Sequence, residues 1–491
     1  MVGVEDYLGV LLFKVFRFAK RTNTRIITQR SKIWKIVWGD CYLKEMNIIS
    51  GILQSVEGKP VLFFADRDTH EFNFATDIAY MPDTRNDVFF LEPANGFVHG
   101  KTHDGNNIAV YIGSERFMVL ARQNLFTSTY VVSASNWEPE DISTFKGIRF
   151  TGHTLNSVFP SEYVRIYDNG ELVIRPKDKC ITHKIETQKY HIEMTINAPV
   201  TGEPGLDGLP NANTDVMVDL LFDEDQPLAA IFDHYNRMKE LLSFMTYRNN
   251  VGFDGIQLIQ NHPEHGFIVK TADVYILDEL TLTDKSDRRN ISFHDLGSCL
   301  PRLLKLFYDT EDRAPSYSLG FYPKSDQDIY KMTNSMLREI CSGLECEIGF
   351  IPSLNGAEDP LLTSLIESVR REIKSFRKAN EGLSNDTYNL IYSSVSTWSF
   401  PLAEKLIALY HTYEDEMRKV NKSRFIICDS DIKAFVKYRN DITHGRHRIL
   451  DERIAVTAHV LAGLVYCCLL KRIGMERSQI FDLCKCGKIV C

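Results

Sequence analysis

The sequence predicts an α+β protein with several domains, in which a β-rich half is followed by an all-α helical bundle. The 491 residues are enough for two or three domains, each with its own hydrophobic core. Residues 41–225 contain short apolar or alternating runs separated by turn residues, which is typical of β-strands. From about residue 298 the apolar residues recur at the three-and-four spacing of amphipathic helices. This change of pattern separates the two halves.

Composition indicates an ordinary folded protein of the cytoplasm. Hydrophobic residues make up 44% of the chain, charged residues 25% and aromatic residues 11%, which excludes a disordered or fibrous protein. The first residues, Met-Val-Gly-Val-Glu-Asp, place acids where a signal peptide needs basic residues. The eleven cysteines are odd in number and scattered, unlike those of a secreted disulfide scaffold. We therefore expect a cytoplasmic localisation.

The longest nearly uncharged run predicts a buried core helix and no membrane span. It covers 17 residues, 454–470, and contains His459. A helix that crosses a bilayer needs about 20 predominantly apolar residues. The run is therefore expected to lie inside the helical domain.

Residues 1–40 form a basic N-terminal segment. Between Tyr7 and Gly39 there is no acid, so the segment could bind polyphosphate in spite of the net charge of −8 for the whole chain. Alternatively, it is a flexible or lipid-surface segment, or an extension upstream of a later start such as Met46. Its eight cations are Lys14, Arg17, Lys20, Arg21, Arg25, Arg30, Lys32 and Lys35.

Residues 41–225 form the predicted β-rich domain, as a sandwich or a distorted barrel. Gly and Asn, which accept the positive φ of tight turns, cluster at residues 57–60, 104–107 and 168–170, and each cluster predicts a hairpin connection. Many short strands at this spacing favour a sandwich or barrel. Residues 198–213 are rich in Pro, Gly and Asn and predict a long exposed loop.

Residues 226–297 are predicted to connect the halves through a helix and a strand, and residues 298–491 to form the helical domain. The connecting helix follows Pro227, and the strand lies within residues 255–277. In the helical domain, the clearest helix has Asp359 as its N-cap and Pro360 at the first helical position. Its predicted buried stripe is Leu362, Leu365, Ile366, Val369, Ile373 and Phe376.

One helix of the bundle ends in polar residues that suit acid–base chemistry. Its apolar residues Ile432, Phe435 and Val436 lie on one side of the helix. It then presents Arg439, Asn440, Asp441 and His444 shortly before Gly445, which makes a helix end there plausible. His444 can exchange protons near neutral pH, Arg439 can hold a phosphate, and Asn440 can orient the imidazole. This set suits metal-independent RNA cleavage, because the 2′-hydroxyl of RNA supplies the nucleophile. Arg439 and His444 lie about 140° apart on an ideal helix, so they converge only if the helix ends or a second subunit contributes.

The spacing of Arg439 and His444 is weak by itself, because related pairs occur elsewhere in the chain. Arg289 and His294 have the same spacing, but Arg289 lies in a polar connection. Arg453 precedes His459 by one residue more and enters the most apolar helix, where His459 is interpreted as a core histidine. Only the pair at 439 and 444 lies at the end of a bundle helix inside a basic patch.

The run Arg439-Asn-Asp-Ile-Thr-His-Gly445, followed by a long apolar helix and preceded by a bundle and a β-rich half, resembles the ApeA family of HEPN-domain proteins. The chain from Pro301 through Leu344-Glu345 to about Leu470 resembles the HEPN region, and the chain from Ile48 onward resembles the N-terminal domain. The resemblance implies a HEPN-type bundle and a homodimeric, metal-independent endoribonuclease. It also implies antiphage defence by abortive infection, started by an unknown phage or cellular trigger. Transfer RNA is a frequent HEPN substrate class, so RNA is the expected partner.

The resemblance also implies roles for individual residues. Arg439 is the phosphate ligand and charge stabiliser, Asn440 the orienting residue and His444 the general base or acid, with Asp441 in a supporting role. Basic residues beside the motif would bind flanking phosphates and add affinity without sequence information. These residues are Lys433, Lys437, Arg446, His447 and Arg448.

The sequence predicts neither a metal site nor a cofactor, and it leaves two other functions open. Cys484, Cys486 and Cys491 supply three thiols without a clear fourth ligand, which is a poor zinc pattern. A phosphate-cradling glycine loop and a His-Glu-x2-His pair are absent from the sequence. The first open alternative is a non-catalytic HEPN scaffold that binds RNA or a partner protein. The second is a ligand-sensing β-rich domain whose helices serve only for dimerisation.

Overall fold

The fold is taken from a computed structural model. The structure describes residues 48–54, 60–66, 71–75, 97–111, 125–127, 130–133, 144–159, 163–168, 171–176, 180–198, 200–201, 213–214, 216–262, 266–276, 290–309, 319–324, 328, 331–354, 360–380, 382–396, 401–420, 426–446 and 448–489. The basic segment at residues 1–40, Asp359, Arg289, His447 and Cys491 lie outside these residues. The chain divides into two units, one formed by Met1–Ile142 with Val274–Leu277 and the other by Ser143–Asp273 with Asp278–Cys491.

The described part of the first unit is an antiparallel sheet. Its strands lie in the order β7-β5-β4-β1-β2-β3-β6. The predicted turn at residues 104–107 is confirmed, since it joins β4 to β5 with Gly105 at φ 84°. The bounds are β1 Ile48–Gln54, β2 Pro60–Asp66, β3 Glu71–Ala75, β4 Phe97–Thr102, β5 Asn107–Tyr111, β6 Leu125–Thr127 and β7 Tyr130–Ser133. The core of this unit contains Ile49, Leu53, Phe63, Ala65, Val98, Ile108 and Val110.

The second unit begins with a further set of mainly antiparallel strands. Six of them lie in the order β11-β12-β15-β8-β16-β17, and β9 and β10 form a separate hairpin across the predicted turn at residues 168–170. The antiparallel sheets confirm that the N-terminal part is β-rich, although the pairing alone does not define a sandwich or a barrel. The bounds are β8 Thr144–Thr151, β9 Tyr163–Asp168, β10 Glu171–Pro176, β11 Cys180–Glu186, β12 His191–Asn197, β13 Val200–Thr201, β14 Asn213–Thr214, β15 Met217–Pro227, β16 Gly255–Asn261 and β17 Ile268–Tyr275.

The C-terminal part is helical, which confirms the α+β class. The helix predicted after Pro227 is α2, whose apolar face is buried. Its C-cap is Tyr247, which adopts a left-handed conformation with φ 55°. The α-helices are α1 His153–Val158, α2 Ala230–Thr246, α3 Phe293–Leu296, α4 Leu300–Tyr308, α5 Asn334–Ile348, α6 Pro360–Ala379, α7 Asn385–Ser396, α8 Leu402–Thr412, α9 Glu414–Val420, α10 Asp429–Thr443, α11 Glu452–Arg472 and α12 Arg477–Lys485.

Helix α6 begins at Pro360 as predicted, but the prediction that its apolar stripe is buried is wrong. Leu365 and Phe376 are 52% and 59% exposed, and Ile366, Val369 and Ile373 are only half-buried. The spacing does give α6 an apolar face, but α6 packs mainly against α7, which is too small to cover the whole stripe. Helices α6 and α7 therefore form an exposed hairpin.

Helix α11 is the most buried long helix described. It is long and apolar enough to cross a membrane by length and composition, and 72% of its most apolar window is buried inside the protein. Tyr466 packs its ring on Phe244 of α2 with 4.7 Å between centroids, and its hydroxyl donates to the Phe244 carbonyl at 2.9 Å. The N-cap is Asp451, whose side chain accepts from the backbone N–H of Ile454. These contacts place α11 between α2 and the helices described below.

Candidate active site

Helix α10 carries the candidate motif and is fixed at its N-terminus by a buried carboxylate. Asp431 accepts from the backbone N–H and the thiol of Cys428, at 2.9 and 3.0 Å. It also binds Arg453 of α11 through both oxygens, with 2.8 Å between Arg453 Nη2 and Asp431 Oδ2. Arg453 holds the pKa of the Asp431 carboxyl well below its usual range. The predicted apolar side, with Ile432 and Phe435, is buried.

The helix ends as Gly445 predicts. Thr443 is the last helical residue and His444 is the C-cap, with φ −87° and ψ 16°. Gly445 adopts φ 74°, a left-handed conformation that is strained for residues with a Cβ. The N–H of Gly445 donates to the Ile442 carbonyl at 3.3 Å, and the N–H of Arg446 to the Asp441 carbonyl at 2.9 Å. These two bonds form a Schellman motif, which turns the chain away directly after His444.

Arg439 is held by a carboxylate from another helix. Its Nη2 donates to both oxygens of Glu345 in α5, at 3.1 and 3.0 Å, and its Nη1 donates to Asn440 Oδ1 at 3.2 Å. The Arg439 side chain is 22% exposed and that of Glu345 is 41% exposed, so solvent or a ligand can reach the pair. The thiol of Cys341, also in α5, is buried, and burial raises its pKa to about 12, so it stays neutral at physiological pH.

His444 is exposed at the helix end. Among the described residues, neither a hydrogen bond nor an ion pair links its imidazole to Arg439. The hydrogen bond described between His444 and Asn440 joins the backbone N–H of His444 to the backbone carbonyl of Asn440. The amide oxygen of Asn440 accepts from Arg439 Nη1. One chain therefore places Arg439 and His444 on the same helix end without bringing them into contact.

Asp441 is a structural residue in this structure. Its carboxylate is buried and accepts from Arg446 Nη1 at 3.1 Å and from Arg448 Nε at 3.0 Å. Burial by itself would raise the pKa of Asp441, but the two guanidinium groups lower it below the usual value. The Asp441 carboxylate thus binds the segment that follows α10 to the end of that helix.

The basic residues predicted to bind RNA have different surroundings. Arg446 and Arg448 keep 72% and 51% of their side chains exposed while they pair with Asp441. Lys433 forms an exposed ion pair with Glu404, at 3.0 Å between Nζ and Oε1, and Lys437 is exposed on the same helix. Four cations are therefore accessible on and directly after α10.

The competing motifs have other roles where they are described. Arg453 binds Asp431, and His459 is half-buried in α11. His294 stacks on Phe159 with 5.2 Å between ring centroids. Within the described residues, no cluster of three or more His, Cys, Asp or Glu side chains could hold a metal ion, and Cys484 lies 3.9 Å from Cys467 between sulfur atoms.

Sequence reasoning did not identify Glu345 as the partner of Arg439. The two residues are 94 positions apart, and the sequence carries no spacing signal for a pair of that kind. Comparison with protein-family models found no matching model, and comparisons with curated proteins and solved structures found no significant match.

Proposed function

We propose that this chain is a metal-independent endoribonuclease of the ApeA-like HEPN class, which cleaves RNA, with transfer RNA as the first substrate class to test. The observation that carries the proposal is the end of α10. There an exposed histidine, His444, follows an arginine, Arg439, that is oriented by a solvent-accessible carboxylate. A proton-transfer group and a phosphate ligand are thus presented on one helix end.

The proposed reaction uses the substrate's own 2′-hydroxyl. His444 takes the proton from the 2′-oxygen, which forms a bond to phosphorus while the bond from phosphorus to the 5′-oxygen breaks. A protonated histidine returns a proton to that leaving oxygen. The products are a 2′,3′-cyclic phosphate and a 5′-hydroxyl, and Arg439 stabilises the negative charge that develops on the phosphate.

The reaction requires that a second copy of the chain completes the site. Within one chain, Arg439 and His444 diverge around the helix, and neither contacts the other among the described residues. In a homodimer that places two α10 ends face to face, the Arg439 of each copy can face the His444 of the other. The substrate phosphate then replaces Glu345 as the partner of Arg439.

The proposed biological setting rests on the resemblance of residues 439–445 to the motif of the ApeA family of HEPN-domain proteins. We propose that the protein acts in the cytoplasm in antiphage defence by abortive infection, and that the β-rich part senses a phage or cellular trigger. A toxic ribonuclease must be held inactive in a healthy cell, which a domain can achieve by covering the site or by misaligning the dimer.

The test is cleavage of total transfer RNA in EDTA by the purified protein and its His444→Ala variant, with and without lysate from phage-infected cells. His411→Ala is the matched control, because His411 is an exposed histidine of the same helical region that pairs with Glu414 and Asp429. We expect cleavage by the wild type and the control, with 2′,3′-cyclic phosphate ends, and loss of cleavage in His444→Ala. Equal products from all three proteins, or none under any condition, would contradict the proposal.

The pairing of Arg439 with Glu345 also favours a second candidate, a non-catalytic scaffold. A neutralised arginine at a helix end can serve as a structural contact or as part of a protein-binding surface. If the protein is a scaffold, His444→Ala should leave its binding of RNA or of a partner protein unchanged. Replacement of the exposed cations should abolish that binding; these are Lys433, Lys437, Arg446 and Arg448. The same set of variants therefore separates the two candidates.

A further inference from the structure

The exposed hairpin of α6 and α7 carries a row of cations that the proposed active site does not use. Arg370, Lys374 and Lys378 are spaced four residues apart along α6, and Arg377 lies beside them. Residues at this spacing occupy one face of a helix. On α7 the facing residues are Tyr388 and Tyr392, whose rings stack with 5.5 Å between centroids and 22° between planes.

The cations and the tyrosines form a single column. The guanidinium of Arg377 lies 4.0 Å from the centroid of the Tyr388 ring. The guanidinium of Arg370 and the ammonium of Lys374 each lie 5.4 Å from the centroid of Tyr392. Cation–π contacts of this exposed kind are weak, about 0.5–1 kcal/mol each, so a stronger ligand can displace them.

The hairpin encloses a groove of about 570 Å³. None of the described residues that line it is acidic. Asn385 accepts from Arg377 through Oδ1, at 2.5 Å, and Asn380 donates to the Phe376 carbonyl at 2.9 Å, so each amide has a further polar group that can meet a base edge. The lining residues are Lys374, Arg377, Lys378, Asn380, Leu383, Asn385 and Tyr388.

We propose that this groove is a second RNA-binding site, which holds a single-stranded segment of the substrate at a distance along the chain from the Arg439–His444 motif. The proposal rests on the proposed function in taking RNA as the ligand. A phosphate forms a charge-assisted hydrogen bond with Arg377 that is stronger than the contact with the ring, and this uncovers the Tyr388 face for a base. Alternating anions and flat aromatic groups are the chemistry of a nucleic-acid strand, whereas an acidic peptide supplies only the anions.

The test measures binding of a fluorescein-labelled 20-nucleotide oligouridylate by anisotropy in EDTA, over a range of KCl concentrations. All proteins are the full chain with His444→Ala, so that the probe stays intact. We expect Lys374→Gln/Lys378→Gln to weaken binding several-fold and to reduce the slope of log K against log salt by about 1.4, since each single-strand phosphate contact contributes about 0.7. We expect Tyr388→Leu to weaken binding about five-fold or more, through loss of base stacking.

The matched control is Lys471→Gln/Lys485→Gln, which removes two exposed lysines of the same domain. We expect it to keep the parent affinity and salt slope, and thermal unfolding checks that all variants are folded. The proposal is overturned if the parent does not bind the probe or if groove and control variants bind equally. It is also overturned if Tyr388→Leu binds as the parent does, because the groove then attracts any polyanion.

The outcome for the groove is separate from that for the active site. If the groove variants lose binding and no cleavage depends on His444, the groove is an RNA-binding site but the protein is not the proposed ribonuclease. His444-dependent cleavage with unchanged binding in the groove variants would do the reverse.

Discussion

Glu345 and Arg439 join α5 to α10 through a carboxylate that binds one guanidinium nitrogen with both of its oxygens, at 3.1 and 3.0 Å. If Arg439 binds a substrate phosphate as proposed, the phosphate and the carboxylate compete for the same donors. The side chain of Glu345 is 41% exposed, so it can turn into solvent, whereas Arg439 is only 22% exposed and then needs another anion as its partner. Under the proposed function, the substrate phosphate therefore replaces Glu345 at Arg439.

The first prediction concerns removal of this competing carboxylate. Glu345→Gln removes the negative charge beside Arg439, and we expect it to tighten RNA binding several-fold in the His444→Ala background. Glu452→Gln, at an exposed position in the first turn of α11, is the control and should leave the affinity unchanged. Fluorescence anisotropy with a labelled RNA measures both. Unchanged or weaker binding in Glu345→Gln would contradict competition between the Glu345 carboxylate and the ligand for Arg439.

The second prediction concerns the helix end. Gly445→Ala places a Cβ on a residue with φ 74°, although no atom lies within 4 Å of that position. The cost therefore comes from backbone strain and is about 1 kcal/mol in the free energy of unfolding. Relief of the strain displaces the neighbouring His444. We therefore expect the cleavage rate to fall by more than the loss of about 1 kcal/mol in the free energy of unfolding would explain. Urea unfolding and cleavage rates measure the two effects. Gly266→Ala serves as a control, because Gly266 has φ 69° and open space around it, so the same strain should lower stability and leave the cleavage rate unchanged.

The third prediction concerns the carboxylate that fixes the start of α10. Asp431→Asn loses the ion pair with Arg453 and weakens the bond to the Cys428 N–H, and we expect a loss of about 2 kcal/mol in the free energy of unfolding. Asp482→Asn, at an exposed position in α12, should change it by less than about 0.5 kcal/mol. Chemical denaturation measures both values. Equal stability of the two variants would contradict a fixing role for Asp431.

The fourth prediction concerns pH and the buried imidazole of His234 in α2. Its ring is enclosed by Phe145, Phe222 and Tyr190, its Nδ1 lies 3.0 Å from the Tyr308 hydroxyl, and burial lowers its pKa to about 4. Because the unfolded chain binds the proton more tightly, this contribution to stability is complete above about pH 6.5 and is lost as the pH falls towards 4. The loss amounts to about 3 kcal/mol at most.

The measurement for His234 is the slope of unfolding free energy against pH. His234→Phe removes the titrating group and should flatten the slope between pH 6.5 and 4, whatever its effect on stability at neutral pH. His191→Phe, on the exposed side of β12, should retain the wild-type slope. A wild-type slope in His234→Phe would mean that other groups cause the acid sensitivity.

The sequence predicted those features of the site that depend on neighbouring residues. The apolar side of α10 and the helix end at Gly445 follow from local spacing and from the conformational freedom of glycine, and both are confirmed. The exposure of α6 could not be predicted in this way. Periodicity reports that a helix has an apolar face, but it does not report how much of that face a neighbour covers.

Long-range pairings were beyond the sequence for a different reason. Glu345 is one of many acids in the chain, and its selection by Arg439 depends on how α5 and α10 pack. Asp441 is likewise buried and binds Arg446 and Arg448 in the fold, which its place in the motif does not indicate. The role of a charged residue follows from the partners that the fold supplies.

Helix α11 contacts both α10, which carries the candidate site, and α2, which follows strand β15 of the second unit. Near one end, Arg453 forms an ion pair with Asp431 at the start of α10. Thirteen residues later, Tyr466 donates a hydrogen bond to the carbonyl of Phe244 in α2. At 1.5 Å per residue these two contacts lie about 20 Å apart on one continuous rod. Helix α11 also packs against α5. The packing of α2 and the Arg439–Glu345 ion pair between α5 and α10 therefore depend on the position of one and the same helix.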